Sequence, residues 1–197
     1  MEIEISMDSI IPQINNGYLK EAEMFEEFLK KNSNIQVSAN WDHYHELLEQ
    51  NILEALHKFK SIRKIWGFHL PLPKEGFKGV YFCLGDDGTH LSIDGSIYCS
   101  EKDWAANADY YAKDLDVFNI LFHLMNEIEV KETEEINANK ILFMFLVFVI
   151  CKTLSQSRNI KGLINTSIVI GYSAGEMLML GEYCNKVFNQ NIKLLGY

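Results

Sequence analysis

Eleven consecutive apolar residues, Ile141 to Cys151, form the strongest block in the hydrophobic pattern, and Lys140 and Lys152 close it on either side. Spanning a bilayer takes about 20 apolar residues, roughly twice this run. The block is apolar on every side, so it does not suit an amphipathic helix on the surface. The pattern predicts a central helix near residues 135–156, wrapped by the other elements.

Elsewhere the period changes along the chain. Ile3 and Ile5 alternate with Glu2 and Glu4 and predict a short strand. Tyr18 to Lys31 reads as a helix with Leu19, Ala22, Phe25, Phe28 and Leu29 near one face. A second helix starts near Asn40–Asp42, either of which can cap it. Its buried stripe is Tyr44, Leu48, Ile52, Ala55, Phe59 and Ile62. Lys64 to Leu70 is short and aromatic, and Pro71-Leu72-Pro73 ends it.

Phe77 to Leu84 then predicts a strand, with Val80, Phe82 and Leu84 on one face and Tyr81 and Cys83 on the other. Gly85-Asp86-Asp87-Gly88 reverses the chain, Thr89 to Ile93 returns, and Asp94-Gly95 reads as a second tight turn before Ser96 to Cys99. The expectation is a three-stranded antiparallel meander. Helices are predicted from Ser100, over about Leu115 to Val130, and again from Glu176 through Met177, Leu180, Tyr183, Cys184 and Val187, with a short β-branched run at Asn165 to Ile170. The strands cluster mid-chain and helices outweigh them. The predicted fold is therefore a single α+β domain over residues 1–197, with the meander packed against several helices.

Composition narrows the function. Apolar residues make up 48% of the 197, which suits a packed core and not a disordered chain. The net charge is −9, and residues 1–140 hold 25 of the 27 acidic side chains against 13 basic ones. Such a surface repels phosphate backbones and suits a basic protein partner. Cys83, Cys99, Cys151 and Cys184 show no C-x-x-C spacing and no zinc pattern with histidine. Met1-Glu2-Ile3-Glu4 is acidic, unlike the basic start of a secretory leader. The expectation is a cytoplasmic, reduced protein without disulfides, membrane insertion or a bound cofactor.

Three groups of residues invite a chemical reading. Gly171-Tyr172-Ser173-Ala174-Gly175 matches G-x-S-x-G, the nucleophile elbow of α/β hydrolases, and the elements read on either side are a strand and a helix. A serine needs a base to take its proton. Only 24 residues follow Ser173 and none is histidine. The six histidines all lie upstream, the reverse of that family's order. The plainer reading is a tight turn made possible by two glycines.

His43 and His45 diverge on a helix, where residues two apart point about 200° from each other. His45 and Glu49 can converge at i, i+4, but two ligands do not make a metal site. Asp86, Asp87 and Asp94 lack the spacing of a Ca²⁺ loop. With Tyr81, Tyr98, Trp66 and Trp104 nearby, they read as an acidic, aromatic-flanked binding face, since aromatics anchor interfaces. There is no phosphate-binding loop, dinucleotide fingerprint or basic nucleic-acid patch.

Gly79-Val80-Tyr81-Phe82, the Asp94-Gly95-Ser96-Ile97-Tyr98 segment and Asp114-Leu115-Asp116-Val117-Phe118-Asn119-Ile120-Leu121 together resemble small bacterial toxin-immunity proteins of the SMI1/KNR4-like group. The resemblance covers about residues 77–124. It implies a cytosolic protein that binds and blocks a toxin, and it carries over no catalytic residue. The reading from sequence is thus a non-enzymatic intracellular binding protein, an inhibitor of a basic partner. The alternatives are a serine hydrolase using Ser173 and a structural or assembly subunit.

Overall fold

The computed structural model describes residues 11, 12, 15, 25, 27, 30, 36, 37, 39–85, 88, 90–98, 109–112, 117–129, 138–172 and 177–195. In chain order the elements are β1 (Gln36–Val37), α1 (Trp41–Leu56), β2 (Phe59–Ser61), β3 (Lys64–Ile65), β4 (Phe68–His69), β5 (Gly79–Leu84), β6 (Leu91–Ser96) and β7 (Tyr110–Ala112). They continue with α2 (Val117–Glu127), β8 (Ile128–Glu129), α3 (Ala138–Gln156), β9 (Asn165–Tyr172), β10 (Met177–Cys184) and β11 (Val187–Leu195). A seven-stranded sheet runs in the order β11-β10-β9-β5-β6-β7-β2, and β1–β8 and β3–β4 form separate two-stranded pairs. The fold is α+β. In the large sheet β5 and β9 are parallel, and every other neighbouring pair is antiparallel.

The apolar run forms α3, and thirteen of its nineteen residues are buried. It needs apolar side chains all round because it has protein on more than one side. Phe145 meets the ring of Trp41 on α1 edge-on at 4.7 Å, and Phe148 lies 5.8 Å from the ring of His45 on the same helix. Phe143, in contrast, stacks on Tyr172 of β9 at 4.9 Å. By length and composition alone α3 could cross a membrane, but here it is the inner layer of a folded core. Val80, Phe82, Ile93, Ile168, Ile170 and Tyr183 from the sheet join α1, α2 and α3 in one contiguous cluster. Residues before and after 131 therefore share a core.

Asn40 caps α1, its side-chain oxygen accepting from the His43 N–H at 3.2 Å. The helix ends at Leu56, earlier than the apolar stripe predicts. Phe59 is buried in β2, while Ile62 lies beyond that strand and is exposed. The Tyr44 hydroxyl donates to Glu127 at 2.6 Å and ties α1 to the end of α2. That second helix covers less than the expected Leu115 to Val130, because Ile128 and Glu129 pair with β1. The strand read at Ile3–Ile5, most of the Tyr18–Lys31 helix and the helix read from Ser100 fall outside the described residues; Phe25, Glu27 and Lys30 are helical.

Two expectations fail for identifiable reasons. Asp94-Gly95 is not a turn. Asp94 pairs with Tyr81 and Tyr111, and Gly95 with Val80 and Tyr110, in the middle of the sheet. The glycine makes room for aromatic rings: a Cβ there would stand 3.1 Å from Phe77 and 3.3 Å from Phe59. The third strand of the meander is accordingly β7, and Ser96 ends β6.

The helix predicted from Glu176 is also absent among the described residues. Met177–Cys184 and Val187–Leu195 form a β-hairpin, so strands dominate the C-terminal third. Its two-residue turn, Asn185-Lys186, holds both residues at positive φ, 51° and 67°. Such turns match the twist of paired strands.

Candidate interaction surface

β3 and β4 form a small hairpin outside the main sheet. Lys64 pairs with His69 and Ile65 with Phe68, leaving Trp66-Gly67 as a two-residue turn. Both turn residues are left-handed, with φ of 54° and 82°. This turn favours Asn-Gly, because a bulky residue at positive φ is strained. The sequence nevertheless places tryptophan there, and its side chain is 93% exposed. Phe68 is 79% exposed, Ile65 56% and Ile62 52%. Four large apolar side chains within seven residues thus face outward. Scattered exposed hydrophobics are ordinary, whereas a contiguous patch marks a docking site.

The base of the hairpin is fixed. The His69 Nδ1 lies 2.6 Å from the Ser61 carbonyl oxygen, and Leu70 N–H donates to the Arg63 carbonyl at 3.3 Å. Arg63 N–H donates to the Ser61 hydroxyl at 3.1 Å, and the Tyr110 hydroxyl donates to the Pro71 carbonyl at 3.1 Å. The apolar tip therefore projects from a pinned base in a defined orientation. Because the fold gains nothing visible from an exposed left-handed tryptophan, Trp66→Asn should raise stability by about 0.5–1 kcal/mol. Urea midpoints of the two proteins check this. A less stable Asn variant would show that the indole supports the fold.

The seven residues read as one acidic, aromatic-flanked face do not all belong to one surface. Trp66 and Tyr98 are exposed, Tyr98 at 72%. Tyr81 is buried, and its hydroxyl donates to the Tyr172 carbonyl at 2.8 Å, which corrects its reading as an anchor. It lies on the sheet face away from α3. There Tyr81 and Val169 form a second small cluster with Cys83, Met177, Met179 and Leu195. Asp94 is a cross-strand partner of Tyr81 and is only partly exposed. Asp86, Asp87 and Trp104 lie outside the described residues.

Burial pushes the Asp94 carboxyl above its ordinary range, while the Ser92 hydroxyl, donating at 3.3 Å, pulls it back in part. A raised folded value means that the fold favours the neutral acid. The group is neutral in both states at low pH, and stability is lost as the pH rises through the folded value. Asp94→Asn should therefore be more stable than the native chain at neutral pH, with the gain fading toward about pH 3. Urea midpoints at the two pH values test this. A gain of equal size at both would rule out ionisation as its cause.

The G-x-S-x-G segment does not stand between a strand and a helix. Gly171 of β9 pairs with Met177 of β10, so the segment joins two antiparallel strands. Ser173, Ala174 and Gly175 lie outside the described residues. Leu84 and Tyr172 are register partners on the parallel strands β5 and β9. The chain beyond each, toward Asp86 and toward Ser173, thus leaves from the same end of the sheet. Cys151 is fully buried, and burial raises its thiol far above the ordinary range, which suppresses the reactive thiolate.

On α1, His43 faces outward and His45 inward, with His45 Nε2 3.9 Å from Glu49. Among the described residues no three His, Cys, Asp or Glu side chains group to hold a metal.

Reading from sequence missed Ile62, Arg63, Lys64, Ile65 and Phe68. Two signals were present. Residues 57–74 contain five lysines and arginines and no acidic residue, within a chain of net charge −9. Trp66-Gly67 also sits between two apolar residues at the spacing of a two-residue hairpin turn. No family model, curated protein or solved structure matches the chain.

Proposed function

We propose that the protein is a non-enzymatic binding protein of the inhibitor or immunity type, which engages another protein through the β3–β4 hairpin. The observation that carries this reading is the exposed, pinned tip of Ile65, Trp66 and Phe68. Tryptophan and other large apolar groups dominate interface energetics, and a tip already held in shape loses little freedom on docking. The partial resemblance to toxin-immunity proteins points the same way.

The test is affinity capture by the tagged full-length chain from its native lysate. The native protein should retain one stoichiometric partner. Trp66→Ala/Phe68→Ala should lose it by a factor of about 100 or more, as two interface anchors of this kind predict. Equal retention by both proteins would remove the hairpin from the interface. Circular dichroism should show the same fold in both, since the two side chains are exposed.

The competing hydrolase reading draws support from one feature. His90 precedes β6 at the end of the sheet where β9 finishes and the chain runs on to Ser173. A fluorophosphonate probe separates the two readings: labelling lost in Ser173→Ala and in His90→Ala favours the hydrolase. An unlabelled, folded protein leaves the binding reading in place.

A further inference from the structure

We infer that the surface receiving the hairpin is an apolar cleft on a protein, rimmed by carboxylates. This rests on the binding reading above and gives its partner a sign opposite to the one that overall charge suggests. Residues 57–74 carry Lys58, Lys60, Arg63, Lys64 and Lys74 and no acid, while the other 179 residues carry 27 acidic and 13 basic side chains. Lys58 is paired with Glu54. Arg63 and Lys64 are exposed in the same stretch as Ile62, Ile65, Trp66 and Phe68. The apolar tip is thus flanked by positive charge on a molecule that is otherwise strongly negative.

That opposition gives direction to an encounter. An acidic partner is repelled by the acids that residues 1–140 concentrate and attracted where the hairpin presents Arg63 and Lys64. Charges are felt over about 8 Å at physiological salt, so the local sign governs the final approach. Complementary potentials of this kind fix orientation and exclude wrong poses. A basic partner would meet the reverse situation, attracted by the acids of residues 1–140 and repelled at the exposed aromatics.

A protein cleft fits these observations better than a bilayer. Trp and Phe beside Lys and Arg also anchor proteins at lipid interfaces. A bilayer, however, makes no demand on the orientation of a ring. Here the turn holds Trp66 in a strained backbone conformation, and hydrogen bonds at Ser61, Arg63 and Pro71 fix the base. Fixed geometry matters against a shaped pocket. An anionic leaflet would also bring its charge against the acidic remainder of the chain.

The experiment uses the tagged full-length chain carrying a benzophenone photocrosslinker in place of Phe68, irradiated in native lysate. The expected product is a crosslink to one protein segment that contains Asp or Glu. In parallel captures, Arg63→Glu/Lys64→Glu should weaken retention by about tenfold or more. Lys161→Glu/Lys186→Glu, an equal change in net charge on turns of other elements, should not. The native chain should not sediment with vesicles of equal parts phosphatidylcholine and phosphatidylglycerol.

If Trp66→Ala/Phe68→Ala abolishes capture but the Arg63/Lys64 reversal does not, the hairpin reading stands and the acidic rim is wrong. If nothing is captured, or capture ignores the aromatic pair, both fall. Sedimentation with the vesicles that is lost in Trp66→Ala/Phe68→Ala would identify a bilayer as the occupant and overturn the inference.

Discussion

Phe145→Ala should lower the unfolding free energy by about 3–5 kcal/mol, measured by urea denaturation followed by far-ultraviolet circular dichroism. The phenyl ring is fully buried on α3. It lies 4.7 Å from Trp41, 5.3 Å from Phe25 and 6.2 Å from Phe148. Three large rings meet at this point, so none can move into the space without leaving its other neighbours. The cost therefore combines lost burial with a cavity that stays open. Domains are stable by only about 5–15 kcal/mol, so the variant should stand close to unfolding. Phe122→Ala supplies the contrast, because that ring is 42% exposed on α2. It should change stability by no more than about 1 kcal/mol. Equal losses at the two positions would contradict the placement of α3 inside the core.

Gly181→Ala should cost about 2–5 kcal/mol by the same measurement. Gly181 has φ of 146° and follows an irregularity in β10, where Met179 and Gly181 pair with Val169 and Ile168 although those two are adjacent in the chain. Leu180 is the extra residue, and the strand bends to accommodate it. A Cβ at Gly181 would lie 2.3 Å from the Asn189 carbonyl oxygen and 3.0 Å from Asn191 N and from Gln190 Cα. All three are backbone atoms of β11, so relief would require moving a paired strand. Gly67→Ala tests the backbone effect by itself. That residue is left-handed, but nothing lies within 4 Å of its Cβ position. Its cost should stay near about 1–2 kcal/mol. A Gly181→Ala variant as stable as Gly67→Ala would argue against the close approach of β10 and β11.

What could be read from the sequence depended on how long each apolar pattern ran. Eleven uninterrupted apolar residues leave little choice, and α3 lies where they predict. Asn40 announced the start of α1 because its side chain competes for the first free N–H groups. The C-terminal hairpin was misread because Met177, Leu180, Tyr183, Cys184 and Val187 also fit a helical period. Short apolar runs satisfy both templates. Asn185-Lys186 lacks the glycine that marks most such turns.

Asp94-Gly95 misled for the opposite reason. It has turn chemistry, but the glycine is there to admit two aromatic rings. The candidate surface was legible only in part. Trp66 stood out by residue type. Its neighbours did not, because exposure of Ile65 and Phe68 follows from a hairpin only two residues long on each side. Tyr81 looked equally suited and turned out to be buried between strands.

The parallel pairing of β5 with β9 also bears on how the chain folds. The strands on either side of it, β6-β7-β2 and β10-β11, are joined to the rest by antiparallel pairs. The β9-β10-β11 unit in particular is contiguous in sequence and can zip from its turns. The central pair is different: about eighty residues separate the end of β5 from the start of β9. That intervening chain contains α3, which must find its place between the sheet and α1. Closing so long a loop defers its reward until many contacts form together, and folds rich in such contacts assemble slowly. The rate-limiting event in refolding should then be the joining of the two sheet halves, which seats α3 at the same moment.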